Sequence, residues 1–297
     1  MDPHLTPGDA DVLQELAEYQ FLTVTQLAAA HSITRQMAAR RVKSLASKGL
    51  VILVPRNFAG SVGRPEAVIS LTEAGFQALR NANPDGDHNV CRLRQSIDVS
   101  RMEHRLLLNW TRLHLSRLEH SQRPLELNYL SVVGTDDQEI ALGGGQAPMS
   151  IIPDGVFSIA SRDQHKSLLF FLEIDMGSES LAGASSQSIR GKLESYQRIF
   201  RGELYKKFEA RLDGSFRGFR VLFVANGSSR LAQLCSVVRS VANTGYVWLT
   251  DQESIFRTGI FDRIWVEGGR SDEALHSILG PTLAFESPFE QLQQSQR

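Results

Sequence analysis

The sequence has very little cysteine and no long apolar run. Only two of its 297 residues, Cys91 and Cys235, are cysteines, and they lack the paired spacing of a zinc site or the density of a disulfide scaffold. No apolar stretch approaches the roughly 18 residues that a membrane span needs, and the N-terminus MDPHLTPGDADV is acidic and polar, unlike a signal peptide. We therefore expect a cytoplasmic protein without a membrane partner.

A strong excess of charge is lacking as well. The formal net charge is -1, with 22% charged and 42% apolar residues, which is the composition of an ordinary globular protein. A chain with so little net charge can bind nucleic acid only through a local basic surface. Its length allows two domains.

The pattern of the first eighty residues predicts three helices, followed by two strands that are joined by a tip and by a fourth helix. Thr23 and Thr34 are expected to cap the second and third helices, and Gly49 closes the third. After Gly49, LVILVP and EAVISLT predict two strands joined by the Gly- and Pro-rich tip RNFAGSVGRP, with the helix EAGFQALRN behind them. This order predicts a winged helix-turn-helix DNA-binding domain over residues 1–82.

The third predicted helix is basic and contains no acidic residue. We expect its apolar face to point inward through Met37, Val42 and Leu45. A helix with one apolar and one cationic face suits the major groove, and an arginine at the wing tip can enter the adjacent minor groove. We therefore predict double-stranded DNA as the partner, bound through Arg35, Arg40, Arg41, Lys43 and Arg64. The alternative is a solvated basic face on a protein-interaction adaptor.

The remainder of the chain predicts a second, larger domain. The polar residues 83–96 are expected to form a linker, residues 97–290 an α/β domain, and residues 291–297 a flexible tail. A long helix at about residues 97–119 is either the first helix of that domain or a dimer helix, which leaves a homodimer open. Beyond it, alternating strand and helix patterns predict a mixed sheet, with SLLFFLEI as a central strand because both of its faces are apolar.

Three carboxylates are expected to converge at one end of this sheet. Glu173 and Asp175 end the central strand and point to the same face, and Asp154 opens the preceding strand in the sequence PDG. Buried carboxylates need a cation, and Mg²⁺ or Mn²⁺ takes such oxygen ligands and can activate a water molecule. The alternative is that Glu173 and Asp175 meet Arg190, Lys192 or Arg198, while Asp154 only forms a turn.

Two other kinds of site are excluded by missing motifs. The eight histidines include no His-x-His or HExxH pair, which excludes the common histidine–metal centres. GGGQAP lacks the lysine and serine of a phosphate-binding loop, so no nucleotide cofactor is expected.

The PDG and EID segments resemble the PD-(D/E)xK nuclease superfamily, the restriction-endonuclease-like fold. In that pattern a Pro-Asp opens one strand and an acid-x-lysine occupies the next, but here Asp175 stands in the position of the lysine. The superfamily sometimes supplies the lysine from the following helix. The resemblance therefore implies a catalytic group of Asp154, Glu173, Asp175 and Lys192.

A broader resemblance covers most of the chain. GRPEAVISLTEAG, EHRLLLNW, PDGVFSI, FFLEIDMGSES and KLESY together resemble the replication-relaxation family of plasmids and mobile elements, and a related group of mobilisation relaxases is thought to use a PD-(D/E)xK-like fold. This implies metal-dependent nicking or processing of DNA at a replication or transfer origin, with Asp154, Glu173 and Asp175 as the metal ligands. The alternative is a non-catalytic DNA-binding accessory factor or transcriptional regulator whose nuclease-like domain has decayed.

Overall fold

The computed structural model describes the chain in eight stretches, which are residues 5–56, 65–82, 101–118, 124–130, 139–142, 149–161, 166–181 and 188–280. The chain divides into two compact units, Met1–Leu113 (unit 1) and His114–Arg297 (unit 2). No helix within the eight stretches is long and apolar enough to cross a bilayer. Four predictions fall outside the described residues, those for Arg64, Cys91, the linker 83–96 and the tail 291–297.

Unit 1 consists of short helices and a small sheet. Its elements are, in chain order, α1 (Pro7–Tyr19), β1 (Phe21–Thr23), α2 (Val24–Ala30), α3 (Arg35–Ser47), β2 (Val51–Val54), β3 (Val68–Leu71), α4 (Glu73–Ala82) and most of α5 (Met102–Ser116). The three strands form an antiparallel sheet in the order β1-β3-β2. The predicted helices and the two strands predicted after Gly49 are present, and β1 is an additional strand.

The helices of unit 1 begin where the sequence supplies a capping side chain. The hydroxyl oxygens of Thr23 and Thr34 accept hydrogen bonds from backbone amides three residues later, as predicted. Thr6 caps α1 in the same way. Gly49 follows α3 with a φ of 70°, a left-handed conformation that glycine adopts without steric cost. The bounds of α3 therefore follow from local chemistry.

The first part of α5 packs within unit 1. The side-chain amide of Asn109 donates hydrogen bonds to the carbonyl oxygens of Tyr19 and Phe21, at 3.2 and 2.8 Å. The compact unit consequently ends after Leu113, whereas the sequence placed the domain boundary at residues 83–96. The helix that we assigned to the second domain thus belongs for most of its length to the first.

Unit 2 is built on one large mixed sheet. Its elements are β4 (Leu125–Tyr129), β5 (Ile140–Leu142), β6 (Met149–Ile151), β7 (Gly155–Ser161), β8 (Lys166–Asp175), α6 (Ile189–Arg201), a 3₁₀ helix (Leu204–Phe208), β9 (Phe219–Ala225), α7 (Ser228–Arg239), β10 (Val247–Asp251), α8 (Gln252–Thr258) and β11 (Val266–Glu267). Six strands are ordered β11-β10-β9-β8-β7-β4, and β5 and β6 form a separate pair. Strands β8, β9 and β10 are parallel and the other neighbours are antiparallel. The prediction of an α/β protein with a mixed sheet is confirmed.

Strand β8 lies at the centre of this sheet. Residues 169–175 are all buried, so both faces of the strand are covered, as its apolar pattern predicted. Helices α6 and α7 contribute Leu193, Tyr196, Leu234 and Val238 to one hydrophobic core on the sheet. Burying each such side chain contributes about 1.5–3 kcal/mol, which holds these two helices beside the carboxyl end of β8.

Candidate functional site

The apolar face of α3 is narrower than the sequence suggested. Ala38, Val42 and Leu45 are 2%, 2% and 0% exposed, at spacings of four and three residues. The predicted inward positions of Val42 and Leu45 are confirmed, but that of Met37 is wrong, because this side chain is 47% exposed. Each residue turns about 100° around a helix, so Met37 lies outside the buried row and Ala38 takes the inner position.

Ion pairs hold both flanks of α3 against the rest of unit 1. Arg35 pairs with Glu66 at 3.0 Å, and Lys48 pairs with Asp9 at 3.3 Å. Burial acts to raise the pKa of Asp9, but hydrogen bonds from the Thr6 backbone and from Lys48 outweigh it and lower the pKa. Of the predicted DNA-binding residues, Arg35 therefore also helps to fix the helix.

The other three predicted cations of α3 differ in their surroundings. The guanidinium of Arg41 packs on Gly8 so closely that a Cβ there would lie 2.7 Å from it. Arg40 and Lys43 are exposed, and they form no ion pair within the described part of the chain. The solvent face of α3 thus has two uncompensated positive charges.

Asp154 binds the backbone of the neighbouring strand. One carboxylate oxygen accepts a hydrogen bond from the amide of Ile174 at 2.8 Å. Gly155 pairs with Leu172 in the β7–β8 register, which places Asp154 opposite Glu173. A Cβ on Gly155 would lie 2.1 Å from the hydroxyl of Tyr129, so this PDG glycine is required by packing. The segment therefore does more than form a turn.

Glu173 is buried in a network of polar side chains on α6. One carboxylate oxygen accepts a hydrogen bond from the Lys192 ammonium at 2.8 Å, and the other accepts one from the Tyr196 hydroxyl at 2.5 Å. The Lys192 ammonium also lies 2.7 Å from a carboxylate oxygen of Glu179. The structure thus brings together Asp154, Glu173 and Lys192, three of the four residues predicted to act at one site.

The charges in this network are set by burial and by close neighbours. Burial raises the pKa of Glu173; Lys192 opposes the rise and Asp154 adds to it. Burial acts to lower the pKa of Lys192, but Glu173 and Glu179 outweigh it and raise the pKa. Burial and the nearby Glu173 raise the pKa of Tyr196. At neutral pH Lys192 is consequently an ammonium and Tyr196 a neutral hydrogen-bond donor.

Asp175 is engaged by an arginine from α7. Its two carboxylate oxygens accept hydrogen bonds from the Arg230 guanidinium at 2.9 and 3.0 Å, and the Gly177 amide donates a third at 2.6 Å. In the part of the chain that the structure describes, no three or more His, Cys, Asp and Glu side chains are grouped to hold a metal ion. Asp175 therefore uses three of the about four acceptor positions of its carboxylate on Arg230 and Gly177.

The comparison with family models agrees with the sequence resemblance. Residues 13–211, more than half of the chain, match the model described as Replication-relaxation. The chain belongs to the replication-relaxation family. Membership suggests a role in the replication or mobilisation of a plasmid or mobile element. Searches of curated proteins and of solved structures found no match.

Three residues that contact the predicted site residues of this replication-relaxation protein were missed from sequence, namely Glu179, Tyr196 and Arg230. Glu179 pairs with Lys192 at 2.7 Å. Tyr196 follows Lys192 by four residues, which is one helical turn, so helical spacing could have placed it beside Glu173. Arg230 is 55 residues from Asp175 in sequence and approaches it only because α7 packs on the sheet next to β8. No local pattern indicates that contact.

Proposed function

We propose that this replication-relaxation protein binds double-stranded DNA through unit 1. The observation that carries this proposal is the solvent face of α3, where Arg40 and Lys43 are exposed and no acidic residue occurs on the helix. We interpret unit 1 as a winged helix-turn-helix, because α2 and α3 precede the antiparallel strands β2 and β3. In that motif the second helix of the pair enters the major groove.

The fixed position of α3 favours this function over a merely solvated basic face. The buried row of Ala38, Val42 and Leu45 and the Thr34 cap hold the helix before any DNA is bound. Because the helix is already ordered, binding costs less conformational entropy, and the electrostatic attraction contributes more fully to the affinity. Each phosphate that is neutralised also releases condensed counterions, which makes the affinity depend on salt.

The double variant Arg40→Ala, Lys43→Ala should bind DNA more weakly and with less salt dependence. We expect the slope of log affinity against log salt to fall in magnitude by about two, because each phosphate contact contributes about 0.9. Fluorescence anisotropy with a labelled mixed-sequence duplex at several salt concentrations measures both quantities. Arg257→Ala, in α8 of unit 2 with its side chain 67% exposed, is a matched charge control. Unchanged affinity and slope in the double variant would contradict the proposal.

A second candidate function for unit 2 is metal-dependent DNA nicking. The observation that favours it is the Lys192 ammonium, 2.8 Å from Glu173 and supplied by the helix after β8, with Asp154 opposite in the register. We interpret this arrangement as PD-(D/E)xK-like, with Asp154 and Glu173 as ligands for Mg²⁺ or Mn²⁺. The Arg230–Asp175 pair favours the alternative, in which unit 2 is a non-catalytic module of an accessory factor or transcriptional regulator.

Nicking predicts a simple assay result. The protein, incubated with supercoiled plasmid carrying its origin and with Mg²⁺ or Mn²⁺, should convert the plasmid to open circles. Asp154→Asn and Glu173→Gln keep the side-chain shape and should abolish that conversion, whereas Glu253→Gln, on an exposed face of α8, should not. If the unaltered protein leaves the plasmid supercoiled with either metal, or if both variants nick equally well, the non-catalytic alternative holds.

A further inference from the structure

The outer face of α3 carries an ordered row of exposed polar side chains. Their spacings of four, three and four residues place them on one face of the helix, opposite the buried row of Ala38, Val42 and Leu45. The members of this outer row are Gln36, Arg40, Lys43 and Ser47. The row begins in the first turn of the helix, the part that contacts base edges in helix-turn-helix proteins.

The row has two neutral members, Gln36 and Ser47, and the Ser47 hydroxyl already donates a hydrogen bond to the Ser44 carbonyl oxygen. Gln36 is the one whose side chain suits a base edge. It is neutral, so it adds nothing to the attraction of a polyanion. Its amide offers a donor and an acceptor side by side, and among the described residues it forms no hydrogen bond through its side chain. Arg40 is one turn further along and offers a planar fork of donors. Both groups have the geometry to form paired hydrogen bonds with base edges.

We propose that Gln36 and Arg40 are specificity-determining residues, which recognise an adenine and a guanine in the major groove. This inference rests on the proposed DNA binding by α3. A glutamine amide matches N6 and N7 of adenine, and an arginine matches O6 and N7 of guanine, each through two hydrogen bonds. At such a site the neighbouring cation, Lys43, contacts phosphate, whereas on a duplex without the adenine and the guanine both Arg40 and Lys43 contact phosphate.

The spacing along the helix sets the spacing of the two bases. Four residues rise about 6 Å along a helix axis, and base pairs are stacked about 3.4 Å apart. The adenine and the guanine are therefore about two base-pair steps apart where the helix follows the groove. The thymine opposite the adenine presents its methyl group in the same groove, where the exposed side chain of Met37 provides an apolar contact.

The inference is tested by selecting sites from duplexes with a randomised central segment, using the full-length protein at fixed salt, and sequencing the bound fraction. We expect an enriched motif with an adenine and a guanine at this spacing. On the enriched duplex, Gln36→Ala and Arg40→Lys should each weaken binding by about ten- to hundredfold. Binding to unrelated duplex should change by less than about twofold, because neither variant alters the charge of the helix.

Matched controls separate recognition from a general effect on unit 1. Gln77→Ala removes an exposed glutamine from α4 and should leave the preference unchanged. Binding without any enriched motif, or an enriched motif that both α3 variants retain in full, overturns this inference and leaves the proposed DNA binding standing. Failure to bind any duplex at low salt overturns the proposed function, and base recognition with it.

Discussion

Replacing Arg230 with methionine should lower the free energy of unfolding by about 3–5 kcal/mol, the usual cost of breaking a buried ion pair by removing one partner. The Asp175 side chain is 2% exposed and that of Arg230 is 10% exposed. Without the guanidinium, Asp175 keeps only the Gly177 amide as a donor and remains a buried charge. The pair also joins β8 to α7, so the loss should destabilise unit 2 in particular.

Urea unfolding followed by tryptophan fluorescence measures this effect, because Trp248 and Trp265 lie buried in unit 2. The double variant Asp175→Asn, Arg230→Met also removes the unpaired charge of the Asp175 carboxylate, so it should be more stable than Arg230→Met alone. Arg257→Met, at an exposed position, should unfold like the unaltered protein. A midpoint for Arg230→Met equal to that of the unaltered protein would show that the pair does not stabilise the fold.

Replacing Lys192 with methionine should have an effect of similar size, about 3–5 kcal/mol, but one that depends on pH. Lys192 donates to Glu173, which is 2% exposed, and opposes the rise that burial causes in the pKa of this carboxyl. Without the ammonium the pKa of Glu173 rises further above its ordinary value of 4.5. The folded variant then holds the Glu173 proton more tightly than the unfolded chain does.

The sign of the pH effect follows from this difference in proton binding. A carboxyl with a raised pKa in the folded state stabilises the fold at low pH, and this stability is lost as the pH rises above 4.5. The stability lost through Lys192→Met should therefore be smaller at pH 5 than at pH 8, by urea unfolding at both values. Lys206→Met, at an exposed lysine, is the control and should show little loss at either pH. An equal loss at both values for Lys192→Met would mean that Glu173 stays ionised without its partner.

Local chemistry explains most of what could be predicted from the sequence. Thr34 and Gly49 bound α3 because a hydroxyl cap and a left-handed glycine act within a few residues of the helix end. The unbroken apolar run of β8 identified it as the central strand, because a strand that is buried on both faces does not alternate apolar with polar residues. The choice of Lys192 came from the resemblance to the PD-(D/E)xK superfamily, and the structure places its ammonium 2.8 Å from Glu173.

The errors and omissions arise where packing decides instead of local pattern. Met37 and Ala38 are neighbours, so an error of one residue in the helical pattern exchanges the one that faces inward. The sequence favoured Met37 because its side chain is larger and more apolar, but Ala38 is the buried residue. Arg230 comes from α7, the fourth element after β8, so its contact with Asp175 depends on how the sheet is assembled. Unit 1 extends to Leu113 because α5 packs with the elements before it, which the polar stretch between α4 and α5 did not indicate.

The hydrogen bonds of Asn109 determine where unit 1 can be cut for separate expression. A fragment ending at residue 82 would lose the donor that serves the carbonyl oxygens of Tyr19 and Phe21. It would also uncover Phe21 and Val68, which pack on Met102 and Leu106 of α5, and each buried apolar side chain contributes about 1.5–3 kcal/mol. A fragment that ends after Leu113 keeps this donor and these contacts, so unit 1 needs a longer piece of the chain than its first eighty residues suggest.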